Sequence, residues 1–243
     1  MAIHVIGLGA AEQAVLTANA LTALNNAHVV IGSARQLETI THFFSDQTPN
    51  KHQCIELPKL NELKILLADL AEQHVCILAS GDPLYFGIGG WLNKQQALTQ
   101  NLACELYFYP AVSSIQAACH KLGLSLQDCD AISLHGRPVE TLRSLIRHNQ
   151  TLVILTDKHS QPKRLAQECF ELGYHTAKIT VCEDLGYEKE QIRCFSINAL
   201  LDDSNASALT SSALSFSELQ VTVIQTGTSE MMPQFPGFND ALF

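Results

Sequence analysis

Four short stretches of the chain combine residue types that could bind or activate a ligand. "LASGDPLYFGIGG" (Leu78–Gly90) ends an apolar run in Ser-Gly-Asp-Pro, then adds Tyr85, Phe86 and three glycines in four residues. Glycines let a ligand approach bare backbone, so N–H and C=O groups would do the binding. A wide turn kinked at Asp82-Pro83 explains the same composition without a ligand. The stretch lacks the Gly-Lys-Ser/Thr of a P-loop, which argues against nucleoside triphosphates. "YPAVSSIQAACHKLG" (109–123) puts Ser113 and Ser114 ahead of a helical pattern. That is a place for a carboxylate or another anion on free N–H groups, and equally for simple N-capping. In "SLHGRP" (133–138), His135 and Arg137 flank Gly136 at a strand end. Arginine grips carboxylates through two parallel hydrogen bonds, so the pair suits an acidic substrate, while a surface ion pair fits as well. "VCEDLGYEKEQIR" (181–193) places Glu183 and Asp184 together. They suit general acid/base work or the capping of a turn, and the turn is the favoured reading. No Ser/His/Asp or Cys/His nucleophile arrangement is legible, so no catalytic residue is assigned.

A fifth stretch, "VIGLGAAEQAVLTANAL" (5–21), invites a dinucleotide reading, with glycines between a strand and a helix. Gly7-x-Gly9-x-x-Glu12 lacks the third small residue, and "VVIGSARQLE" offers Ser33 and Arg35 where the ribose-binding acid should sit. Nicotinamide binding is therefore disfavoured, and a tight turn beside a ligand site remains. The eight cysteines are irregularly spaced with no Cys-x-x-Cys, which points to a reduced, cytoplasmic protein. Ten histidines without an i, i+4 pair give no zinc signature, so no metal is expected. The formal charge is −9, from 15 basic and 24 acidic residues, with at most two basic neighbours; nucleic-acid binding is disfavoured. No apolar run approaches the roughly 18 residues of a membrane span, and the N-terminus lacks the basic region of a signal peptide.

The elements that must position these residues alternate between strand-like and helical runs. Hydrophobic residues make up 47% of the chain, enough for substantial cores. In the first half, strands are expected at 3–9, 27–32, 53–57, 74–80 and 104–110, with helices at 11–26 and 61–73, in a mostly parallel sheet. In the second half, helices are expected at 113–123 and 162–172, and strands at 131–136, 151–156, 177–183, 192–196 and 219–226. The Ser/Ala-rich 202–218 reads as a surface loop. A boundary near 110–112 separates two α/β domains, 1–110 and 111–243.

Taken in order, these elements resemble the tetrapyrrole (corrin/porphyrin) methylases. The resemblance spans essentially the whole chain and rests on "VIGLG" with Leu16-Thr17, "VVIGSARQLE", "SGDPLYFGIG", "YPAVSSIQAACHKLGL", "SLHGR", "VILTD" and "VCEDLGYEKEQIR". The succession of "SGDPLYFG", "P-x-x-SS-x-Q" and "SLHGR" is similar to the branch that methylates C5 of a reduced corrin-ring precursor, precorrin-6Y or cobalt-precorrin-7, in cobalamin biosynthesis. The resemblance implies two α/β domains with the ligand cleft between them, S-adenosyl-L-methionine (SAM) as methyl donor, a tetrapyrrole substrate and a homodimer. By motif, Gly9, Ser80, Gly81, Asp82, Tyr85, Ser113, Ser114, Thr156 and the backbone near Leu185 would contact SAM. His135 and Arg137 would face the substrate. The family's first loop usually reads Gly-Pro-Gly-Asp, where this chain has Ala10-Ala11-Glu12. The final "FPGFNDALF" resembles the connector into a second, C15-methylating and decarboxylating domain, so a separate partner enzyme is expected for that step. The alternatives are a sister enzyme of the family with another substrate, or a non-catalytic tetrapyrrole-binding protein.

Overall fold

The computed structural model describes residues 2–44, 52–70, 72–98, 105–202 and 215–231. The sequence readings on Cys104, on most of the Ser/Ala-rich segment and on "FPGFNDALF" lie outside the described residues. The chain divides into two compact units, Met1–Ser114 and Ile115–Phe243.

Unit 1 is a five-stranded parallel sheet in the order β3-β2-β4-β1-β5. Its strands are β1 (Ala2–Gly7), β2 (Val29–Gly32), β3 (Gln53–Glu56), β4 (His74–Ala79) and β5 (Glu105–Tyr109). The central strands are buried on both faces, which is why they read as continuous apolar runs rather than alternating ones. Val75 and Ile77 of β4 pack on one face with Leu63 and Leu67 of α3 (Leu60–Asp69) and Leu92 of α4 (Ile88–Leu98). Cys76 and Leu78 turn to the other face, against Ala20, Ala23 and Leu24 of α1 (Ala18–Asn26).

The helices of unit 1 depart from expectation. The helix expected at 11–26 begins only at Ala18, because Gly9 takes a left-handed φ of 77° and Thr17 caps the helix by accepting the Ala20 N–H. Val15, within that expected helix, is 84% exposed in the preceding loop. "SARQLE", given no element from the sequence, forms α2 (Ala34–Thr39). Its Ser33 and Gln36 make a reciprocal capping box, a pattern the Ser-x-x-Gln spacing carries.

Unit 2 has a mixed sheet in the order β6-β7-β10-β8-β9. Its strands are β6 (Asp130–Ser133), β7 (Thr151–Leu155), β8 (Lys178–Glu183), β9 (Gln191–Ser196) and β10 (Gln220–Gln225). β6 and β7 run parallel, and the other neighbours antiparallel. Leu165, Ala166 and Cys169 of α6 (Pro162–Glu171) and Ile197 and Leu200 of α7 (Ile197–Leu201) cover one face. α5 (Ser114–Leu122) covers the other through Ile115, Ala118 and Cys119. Leu134, Gly136 and Arg137 lie past β6, because the 131–136 strand ends at Ser133.

The seven described cysteines are free thiols. Burial pushes Cys76 and Cys169 up to about 12, against an ordinary 9.0. The unfolded chain therefore loses those protons first, and stability falls as pH rises from about 9 towards 12. Urea midpoints at pH 8, 10 and 11 should decline monotonically; a flat series contradicts the burial of these thiols.

Candidate functional site

In unit 1 the order β2-β4-β1-β5 brings the carboxyl ends of four neighbouring strands to one edge, where open α/β sheets bind ligands. Gly9, Ser80–Asp82 and Ser113 follow β1, β4 and β5 there, and Ser33–Gln36 follow β2. Gly9 and Gly81 bind each other through both backbone groups, Gly9 N–H to Gly81 O at 3.3 Å and Gly81 N–H to Gly9 O at 3.2 Å. The bare backbone expected for ligand contact is thus already paired at these two glycines. Gly81 has φ 64°, and a Cβ there would stand 3.1 Å from Ser113 Cα, so the loop lies flush against Ser113.

Asp82 builds the loop from within. Its Oδ1 accepts the N–H groups of Leu84 at 2.8 Å and Tyr85 at 3.0 Å, and its Oδ2 accepts the Ala111 N–H at 3.3 Å. One carboxylate therefore shapes the turn and ties it to the segment after β5. The turn presents Leu84, Tyr85 and Phe86 as exposed side chains. Phe86 sits at φ 59°, a left-handed conformation costly for a bulky residue and characteristic of ligand-binding segments. Ser80 is exposed, and its Oγ accepts from Arg35 Nη2 at 3.1 Å and Gln36 Nε2 at 3.0 Å. With both lone pairs engaged, its own proton points away as a donor for a third group. The sequence reading noted Arg35 only as a missing acid and passed over Gln36. Ser113 is buried beside Gly81, and Ser114 opens α5.

In unit 2, β6 and β7 end side by side, so the loops after them are neighbours. Thr156 follows β7; its Oγ1 is buried with no hydrogen-bond partner among the described residues. His135 and Arg137 are exposed on the turn after β6, and Arg137 Nη1 donates back to Ser133 O at 3.1 Å. Leu185 is buried between two left-handed residues, Asp184 at φ 48° and Gly186 at φ 78°, so the chain reverses around it. Glu183 accepts from Arg193 and from the Ser217 N–H, and Asp184 accepts from Ser217 Oγ and pairs with Lys189. These two acids thus hold the 184–190 turn and the 215–219 segment, the structural of their two roles.

The sequence reading missed Asp157. Its Oδ2 accepts the Gly136 N–H at 2.8 Å, and its Oδ1 accepts from the His159 N–H, the Ser160 N–H and Ser160 Oγ at 2.8–3.1 Å. The Gly136 N–H, first among these donors, holds the carboxyl well below the usual carboxylate range. The Asp-x-x-Ser spacing at a strand end was the available signal. Among the described residues no cluster of His, Cys, Asp and Glu could hold a metal ion, and no helix is long and apolar enough to cross a membrane.

Residues 2–200 match the family model of the tetrapyrrole (corrin/porphyrin) methylases. The chain is 31% identical over 190 residues to a Sinorhizobium protein named precorrin-6Y C(5,15)-methyltransferase [decarboxylating], covering 78% of this chain and 44% of that one. It is 26% identical over 207 residues to the Salmonella typhimurium LT2 cobalt-precorrin-7 C(5)-methyltransferase, covering 85% of this chain and 96% of that one. Among solved structures, a uroporphyrin-III C-methyltransferase from Thermus thermophilus complexed with S-adenosylhomocysteine superposes with a TM-score of 0.65 at 18% identity, covering 92% of both chains.

Proposed function

The chain belongs to the tetrapyrrole (corrin/porphyrin) methylases, and from that membership we propose that it is a SAM-dependent C-methyltransferase. Its substrate is a reduced corrin-ring precursor, precorrin-6Y or cobalt-precorrin-7, methylated at C5 in cobalamin biosynthesis. The observation that carries this reading is the match over 85% of this chain to a relative named for that reaction and covered over 96% of its length.

The residues present suit the methyl donor. Buried, unpartnered Thr156 Oγ1 needs a polar partner, and the Ser80 hydroxyl has a proton to give. In this reading Gly9, Ser80, Gly81, Asp82, Tyr85, Ser113, Ser114, Thr156 and Leu185 form the SAM set. His135 and Arg137 meet the substrate's acidic side chains, Arg137 by exchanging its Ser133 carbonyl for a carboxylate.

Bound SAM supplies an electrophilic methyl group on its sulfonium. C5 of a reduced tetrapyrrole is an electron-rich, enamine-like carbon, so no protein nucleophile is required. What the chain's residues contribute is alignment and exclusion of water. Asp82 contributes by fixing the 82–85 loop, and the Gly9–Gly81 pairing by holding the β1 and β4 ends together. No catalytic residue is assigned; His135, exposed on its turn, is the one group nominated to take up the proton released at C5.

The 190 matched residues correspond to 44% of the Sinorhizobium relative. The matched region carries the C5 methylation, and the C15 step belongs to a separate catalytic unit. The family resemblance favours a homodimer, checked by light scattering, and the free thiols favour a cytoplasmic setting.

The decisive experiment incubates the protein with SAM and each of the two substrates and follows product mass. One added methyl group on either is the expected result; none on both removes the C5 assignment. Calorimetry with S-adenosylhomocysteine then separates a methyltransferase of other specificity, which binds it, from a tetrapyrrole-binding protein, which does not.

A further inference from the structure

The turn that carries His135 and Arg137 has little of its own to hold it in place. Both side chains are exposed, and Gly136 between them sits at φ 68° with open space around its Cα. Within the turn, Arg137 makes two bonds, its N–H to Leu134 O at 3.0 Å and its Nη1 to Ser133 O. At its base, the Leu134 N–H extends the β6–β7 pairing by bonding Leu155 O at 2.8 Å. The tip is tied to the rest of unit 2 by the Gly136 N–H on Asp157 Oδ2.

Asp157 is itself well fixed. It follows Thr156 directly, its N–H donates to Ser160 Oγ at 2.8 Å, and its carbonyl accepts Gln161 Nε2 at 2.9 Å. Ser160 is fully buried, so the turn it closes is anchored in the unit's interior. The two carboxylate oxygens divide the work: Oδ1 closes the 157–160 turn, while Oδ2 reaches across to the neighbouring loop.

We propose that Asp157 is a positioning residue for tetrapyrrole binding, setting the His135-Gly136-Arg137 turn relative to the end of β7 by holding the Gly136 N–H. The inference rests on the functional reading above, because it takes that turn as the substrate-facing one. Asp157 touches no reacting atom; it acts through the backbone that carries Arg137. The donors around its carboxyl hold it well below the usual carboxylate range, so it stays an anionic acceptor throughout the neutral range.

The division of labour between the oxygens makes a selective test possible. In Asp157→Asn the single amide oxygen can keep the three Oδ1 bonds, and the NH₂ then faces the Gly136 N–H, donor against donor. The turn at 157–160 survives while the link to Gly136 is lost. A bond to a charged acceptor corresponds to about tenfold or more in an equilibrium. The expected result is a rise of about tenfold in KM for the tetrapyrrole with kcat little changed. S-adenosylhomocysteine affinity stays within about twofold, and amide hydrogen exchange at Gly136 speeds up by about tenfold or more. As a control, Ser160→Ala loosens the 157–160 turn and leaves the Gly136 bond. It should lower Tm without moving the tetrapyrrole KM, which a merely structural role for Asp157 would not reproduce.

An active Asp157→Asn protein with parental KM overturns the inference, whether or not exchange at Gly136 has changed. So does a parallel loss of donor and tetrapyrrole affinity, which marks general loosening of the unit. A wild-type chain that methylates neither substrate is a different failure: it overturns the functional reading, and the inference with it.

Discussion

Asp82→Ala raises the dissociation constant for S-adenosylhomocysteine by about a hundredfold, and Asp82→Asn by about tenfold. The reason is the loop's construction rather than a direct charge on the ligand. The Asp82 carboxylate accepts three backbone N–H groups, two inside its own turn and one from Ala111. Hydrogen bonds to a charged acceptor contribute about 1.5–3 kcal/mol each, and 1.4 kcal/mol is about tenfold in affinity. Alanine removes all three, so the 82–85 loop must be ordered afresh each time the donor binds. Asparagine keeps one oxygen for Leu84 and Tyr85 and loses the tie to Ala111, hence the graded series. Calorimetric titration of both variants decides it. Parental affinity in the alanine variant would remove the methyl donor from this loop.

Gly7→Ala lowers stability by about 3 kcal/mol and Tm by about 6–12 °C. A Cβ at Gly7 would lie 2.7 Å from Gly81 O, 2.9 Å from Ala111 Cβ and 3.0 Å from Pro83 Cδ. β1 lies between β4 and β5, so the end of the strand cannot move away from one neighbour without meeting the other. The 80–83 loop or the 110–111 segment has to yield, and the first carries Ser80, Gly81 and Asp82 of the proposed SAM set. Gly90→Ala is the matched control. It lies in α4 with nothing within 4 Å of its Cα side, and alanine there should stabilise by about 0.5–1 kcal/mol through helix propensity. Thermal melts of the two variants should move in opposite directions, and a Gly7→Ala protein melting with the parent would contradict the tight approach of the β1 and β4 ends.

The opening "LASGDPLYFGIGG" is accounted for residue by residue only in three dimensions. Gly87 and Gly89 are required by contact, since a Cβ at either would come within 2.6 Å of the Pro83 carbonyl oxygen. Gly90 meets no such limit. Composition marked all three alike, because a sequence records the absence of a side chain but not what would collide with one. Similarly, 11–26 has the apolar spacing of a helix, yet its first seven residues, 11–17, precede the helix. Periodicity cannot see that the chain must first leave Gly9 in a left-handed turn and send Ala14 N–H to Thr39 O. Conversely, the capping box of α2 and the Asp-x-x-Ser turn at 157–160 were written in local spacing and passed over.

The features legible from residues alone are local and cumulative. The buried strands of unit 1 announce themselves as apolar runs because both their faces are covered. The order of "SGDPLYFG", Ser113-Ser114 and "SLHGR" resembles the tetrapyrrole methylases, and each motif sits at a strand end or helix start, where chemistry is possible. Partnership between distant residues emerges only in the folded chain. Strand order places β4 and β5 on either side of β1 and so presses Gly81 against Ser113. The parallel pairing of β6 with β7 lets Asp157 hold Gly136, 21 residues earlier in the chain. Such contacts depend on which strands are neighbours, and that choice is made by packing across the whole sheet rather than by any residue's own preference.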